Sequence, residues 1–118
     1  MLILLGLLSI VGATTASARS AYCSSTGDYC TSVARLNGIR TLRLGTFSFS
    51  GRIAICVDPP RGDVSCRHPR LRSIGHGLRE AKTRWHGLYP YHGHGTYRVR
   101  FYPAGTSDQL GPTLSFRG

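Results

Sequence analysis

Four cysteines constrain this chain more than any other feature: Cys23, Cys30, Cys56 and Cys66. Four cysteines allow three connectivities. The close spacings favour Cys23–Cys30 and Cys56–Cys66. Each bridge would staple a local loop and contribute about 2–3 kcal/mol by restricting the unfolded chain. The spacings C-x6-C and C-x9-C lack the C-x2-C knuckle of zinc sites, so disulfides are expected rather than a metal centre. Disulfides of this kind belong to an oxidising compartment.

The first eighteen residues, "MLILLGLLSIVGATTASA", carry no charged side chain. The apolar run from Leu2 to Val11 leads into Ala16-Ser17-Ala18, an A-x-A cleavage pattern, so residues 1–18 read as a signal peptide. The run is too short for a good membrane span. No Lys or Arg precedes it, which leaves the true start codon open. Cleavage after Ala18 gives a single mature domain, residues 19–118, that keeps all four cysteines. The expected address is secreted or extracellular.

The period of the mature chain is two, not 3.6. "TSVARL" and "IRTLRLGTFSF" flank Asn37-Gly38, the strongest local hairpin signal. "RIAICV" alternates Ile53, Ile55 and Val57 against Arg52, Ala54 and Cys56. "VSCRHPRLR" reads as one strand that Pro69 interrupts, hence an edge or a bulge. "REAKTRW" is a weaker strand. "TYRVRFY" alternates Tyr97, Val99 and Phe101 against Thr96, Arg98, Arg100 and Tyr102, and "TLSFR" sets Leu114 and Phe116 inward. About seven short strands with Gly, Pro and Asn turns predict an all-β sandwich.

Within that pattern, "GHGTYRVRF" (93–101) resembles the sixth strand of immunoglobulin-like sandwiches, which a glycine and then a tyrosine open. The resemblance makes Tyr97 the corner tyrosine, with Val99 where antibody domains carry their second cysteine. The cysteines do not follow the antibody pattern, so the likeness is to the wider immunoglobulin-like and fibronectin type III-like architecture. The "YCSSTGDYC" opening, the cysteine-closed hairpin and the "GTYRVRF…LGPTLSFR" ending resemble small exported bacterial proteins of uncharacterised function. That resemblance implies a fold and an address, and carries no active site.

Chemistry-bearing motifs are few. Arg61-Gly62-Asp63 lies between Cys56 and Cys66, where Pro59 and Pro60 suit a turn. We expect a hairpin tip there rather than an integrin ligand. His92-Gly93-His94 could supply two metal ligands, but no acid lies nearby to support them, and no metal site or cofactor is expected. Asp28, Asp58, Asp63 and Asp108 lie in turn-like contexts. No carboxylate pair, nucleophile elbow or free thiol is evident. The chain is therefore expected not to be an enzyme, a small secreted hydrolase being the third-ranked reading.

Charge is the remaining clue. Fifteen basic residues against five acidic ones give a net charge of +10, and all but Lys82 of the basic residues are Arg. Arginine pairs bidentately with phosphate and carboxylate. In immunoglobulin-like topology "RIAICV", "TYRVRFY" and "TLSFR" are neighbours in one sheet. Their outward sets then gather Arg52, Arg98, Arg100 and Arg117, with Tyr102 at the strand end and no acid among them. This face is the expected anion-binding platform. The leading functional reading is a secreted, non-enzymatic binding module for an extracellular partner. The alternative is a cationic protein that binds anionic polymers such as cell-wall phosphates or nucleic acid.

Overall fold

A computed structural model describes residues 19–118; the expected signal peptide lies outside them. Ten strands follow in order: β1 (Ala21–Cys23), β2 (Tyr29–Ser32), β3 (Arg35–Leu36), β4 (Ile39–Thr46), β5 (Ile53–Asp58), β6 (Ser65–Arg67), β7 (Arg72–Gly75), β8 (Leu78–Arg84), β9 (Thr96–Pro103) and β10 (Leu114–Arg117). All ladders are antiparallel. One sheet runs β1-β2-β4-β8-β7, with β3 hairpinned onto β4, and the other runs β10-β9-β5-β6. Among the described residues no helix is long and apolar enough to cross a membrane.

Alternation builds the core. Val33, Leu42, Leu44, Ala81 and Trp85 come from the first sheet and its connections. Ile53, Ile55, Val57, Tyr97, Val99, Phe101, Leu114 and Phe116 come from the second, and all join one buried cluster. Fully burying side chains of this kind contributes about 1.5–3 kcal/mol each. The strands expected to be neighbours, β5, β9 and β10, lie side by side, with Ile55 opposite Phe101 and Val99 opposite Leu114.

An aromatic group closes one end of the core. The Trp85 ring meets Tyr97 at 4.9 Å and Phe116 at 5.0 Å, both edge-on, and Phe116 stacks on Tyr97 at 5.5 Å. Arg40 of β4 lies over the Phe116 ring at 4.6 Å and donates to the Val33 carbonyl at 2.8 Å. Burial, then the charge of Arg35, lowers the Arg40 pKa. Across the core the Tyr89 hydroxyl donates to the Ile55 carbonyl at 2.9 Å, and burial pushes that phenol well above its ordinary value.

Three features depart from the sequence expectation. Ten strands replace seven, chiefly because the chain before Asn37 makes β1, β2 and β3 instead of one strand. "VSCRHPRLR" is not one strand: β6 pairs in the second sheet and β7 in the first. Pro69 has no N–H to continue the ladder, so the chain changes sheets there. The crossover is held by Ile53 N–H to the Pro69 carbonyl at 3.1 Å and Leu71 N–H to the Gly51 carbonyl at 2.7 Å. The Asn37-Gly38 hairpin does form, with φ of 53° and 80° and Leu36 opposite Ile39, the two positive angles of a type I′ turn.

Both disulfides are Cys23–Cys30 and Cys56–Cys66, and no cysteine is free. In each case the two residues are direct register partners on adjacent antiparallel strands. Two bridges fit an extracellular protein. Replacing either pair by alanine should lower stability by about 2–3 kcal/mol in urea unfolding. A loss under about 0.5 kcal/mol, the level of a neutral surface change, would show that the staple contributes nothing.

Candidate anion-binding surfaces

Alternation turns the polar residues of β5, β9 and β10 to the outer face of the second sheet. The strand directions then divide the four arginines expected there. β5 and β9 are antiparallel, with Asp58 opposite Arg98 and Ala54 opposite Tyr102. Arg98 and Arg117 stand at one end, where Arg117 Nη1 donates to Thr96 Oγ1 at 3.4 Å. Arg52 immediately precedes β5 and stands at the other end, roughly 20 Å along the strand. Its Nη1 donates to the His68 carbonyl at 2.7 Å.

The face is not free of acid. β5 continues one residue past Val57, so Asp58 has the outward parity of Ala54 and Cys56. Its Oδ2 lies 3.8 Å from Nη1 of Arg100, which is half-buried. Arg100 is thus partly neutralised, whereas Arg98 and Arg117 are exposed. A groove of about 510 Å3 opens at the Arg52 end, lined by Arg52, Ala54, His68 and Tyr102 among others and by neither Arg98 nor Arg117.

A second basic surface arises where the chain changes sheets. Arg52 and Arg70 form an isolated antiparallel bridge, and Arg72 opens β7 two residues later. Arg72 is the register partner of Glu80, and Lys82 lies two residues along β8. These residues line a groove of about 440 Å3. Glu80 lies 3.3 Å from Arg43, which is outside the groove, and 3.8 Å from Lys82, which lines it. Periodicity passes over Arg70 and Arg72, because Pro69 breaks the pattern in which they lie. The available signal was the cluster "RHPRLR" next to a proline that must end a ladder.

A third groove, about 500 Å3, opens on the outer face of the first sheet, among Tyr22, the Cys23–Cys30 bridge, Phe47, Ile74 and Leu78. Its lining is mostly apolar.

The Arg61-Gly62-Asp63 triplet sits in the loop between β5 and β6, as expected of a hairpin tip. Its guanidinium is turned onto the histidine loop: Nη1 donates to the His92 carbonyl at 2.5 Å and Nη2 to that of His94 at 3.4 Å. A Cβ on Gly93 would lie 2.6 Å from Arg61 Nη1, and Gly93 has φ of +89°, so glycine is required for this approach. The Tyr97 hydroxyl fixes the same loop, donating to the Gly93 carbonyl at 2.7 Å and accepting from His92 N–H at 2.9 Å. His94 Nδ1 lies 3.4 Å from both the Tyr91 hydroxyl and the Gly118 carbonyl. Among the described residues no group of three or more His, Cys, Asp or Glu could hold a metal ion.

Charge is distributed unevenly. All fifteen cations and five carboxylates lie among the described residues. Three cations, Arg43, Lys82 and Arg100, touch a carboxylate, and the other twelve do not. Comparison with family models, with curated proteins and with solved structures finds no match to this chain.

If Arg61 holds the histidine loop, Arg61→Ala should expose it. Amide hydrogen exchange at His92, whose N–H is held by the Tyr97 hydroxyl, is expected to accelerate about tenfold or more, the equivalent of about 1.4 kcal/mol of local stability. Unchanged protection there would mean that Tyr97 alone fixes the loop.

Proposed function

We propose that the chain is exported and that residues 19–118 form an immunoglobulin-like binding module, without catalytic activity, that holds an anionic polymer by charge. Support for the fold type comes from strand order. A four-strand order β2-β4-β8-β7 faces β10-β9-β5-β6, which parallels the ABED and CFG sheets of that architecture with one added edge strand. The Tyr97 hydroxyl bond to Gly93 is the tie expected of a corner tyrosine.

The observation that carries the functional reading is the set of twelve cations with no carboxylate within ion-pair distance. Lys82 is already paired, so all twelve are Arg. Arginines left free on a small exported domain present a field that attracts and holds polyanions. Phosphate-bearing envelope polymers are favoured over nucleic acid as the ligand class. Single-stranded nucleic acid needs rows of aromatic rings for base stacking. On the outward sets of β5, β9 and β10, Tyr102 is the one aromatic among the arginines.

Charge-driven binding has a definite salt signature. Retention of the mature domain on immobilised polyphosphate should weaken by about 10-fold or more between roughly 50 and 200 mM sodium chloride, because binding releases counterions. Absence of binding at the lower salt would overturn the proposal. Salt-insensitive capture of an envelope protein instead would favour the reading of a shape-driven partner. Hydrolytic activity lost on one His or Asp substitution would favour the third reading.

A further inference from the structure

We infer that the groove between Arg52, Arg70, Arg72 and Lys82 is a discrete oxyanion site that grips one phosphate group or a pyrophosphate-like pair. The inference rests on the charge-driven reading above and gives it a location that the alternation pattern did not point to.

Three observations converge on this groove. The first is concavity. About 440 Å3 lies within the usual range of small-ligand sites, so a phosphate could be approached from several sides at once. The groove on the outer face of the second sheet, about 510 Å3, is lined by one arginine, Arg52, and by none of Arg98, Arg100 and Arg117.

The second is a like-charge arrangement fixed by backbone. Arg52 and Arg70 are opposite each other in an isolated bridge. The flanking bonds, Ile53 N–H to Pro69 and Leu71 N–H to Gly51, hold the two residues in that pairing. Like charges directly opposite each other destabilise a ladder. Part of the repulsion is relieved by Arg52 turning one amine to the His68 carbonyl. That bond uses a single guanidinium nitrogen, which leaves donors for a ligand. An oxyanion seated between the two would turn repulsion into attraction, with bidentate pairing available from each fork.

The third is the state of the single acid in the groove wall. Glu80 is only 17% exposed and its two carboxylate oxygens face Arg43 and Lys82 respectively. Arg43 does not line the groove. Glu80 is thus met by Arg43 from outside the groove and by Lys82 within it, and Arg52, Arg70 and Arg72 have no carboxylate within ion-pair distance. On the other arginine face the acid is less fully engaged: Asp58 stands opposite Arg98 and meets one cation, Arg100, at 3.8 Å, whereas Glu80 meets two.

Free phosphate compounds and the phosphate of a polymer share this chemistry, and two probes separate them. Isothermal titration of the mature domain with inorganic pyrophosphate, at about 20 mM ionic strength where screening is weak, is expected to show one site per chain. Arg70→Ser with Arg72→Ser should weaken that site by about 10-fold or more, the scale of losing charged hydrogen bonds. Arg98→Ser with Arg117→Ser removes the same net charge and should change it by less than about 3-fold, as expected of screened, distant charges. Arg70→Lys with Arg72→Lys keeps the charge but not the planar fork, and should fall between the two. All four residues are exposed, and unfolding midpoints will confirm that each variant is folded. Equal losses from the two serine pairs, or no titratable site in the unsubstituted domain, would overturn the groove. Retention on immobilised polyphosphate, measured in parallel, reads the wider proposal independently. If that retention is strong while pyrophosphate shows no site, the polymer is held by overall charge and the groove is wrong.

Discussion

The Tyr97 hydroxyl is the bond on which the organisation of one end of the molecule depends. It sits on a fully buried side chain, gives its proton to Gly93 and takes one from His92. The ring beneath it contacts Trp85 and Phe116, so one residue ties the entry to β9 to the aromatic end of the core. The loop so fixed presents the His92 and His94 carbonyls to Arg61, which in turn anchors the tip of the β5–β6 hairpin. Phenylalanine at this position would keep the packing but leave two half-buried backbone groups without their partner.

A core assembled from alternating apolar side chains uses no ion pair. Every salt bridge lies outside it, and Asp58 and Glu80 between them make all three. The remaining cations touch no carboxylate, and all of them but Arg40 and Arg79 are exposed. Strand direction then decides their grouping. Antiparallel pairing of β5 and β9 sends Arg52 away from Arg98 and Arg117, and the crossover at Pro69 brings Arg70 and Arg72 to it. Two basic surfaces result instead of one platform, and the concave one is formed by residues from both sheets.

What was legible in the sequence is what local rules control. Period-two alternation identified the inward sets of β5, β9 and β10, since each strand has one buried face. Asn37-Gly38 marked its hairpin because two positive φ angles are needed there. Cysteine spacing gave both bridges, because short loops place the partners opposite each other. The failures have equally definite causes. Asp58 looked like a turn residue beside Pro59, and only pairing with Arg98 shows that β5 includes it. By local rules Pro69 marks an irregularity within one strand, although a residue without an N–H can as well mark a change of sheet. His76-Gly77 makes a second hairpin turn, with φ of 56° and 80°, but histidine is a weaker signal than asparagine for a positive angle. Tertiary grouping of charge, on which the site depends, is set by these long-range pairings and not by any local pattern.

The central claim is that the folded domain carries uncompensated positive charge, which an anion relieves. Its most direct test is the thermal unfolding midpoint of the mature domain at neutral pH in about 20 mM and about 300 mM sodium chloride, conditions that differ strongly in screening. Self-repulsion among cations destabilises a compact state, so the account predicts a midpoint that rises with salt. A midpoint that falls would mean that attractive ion pairs dominate the folded state, and would contradict the account.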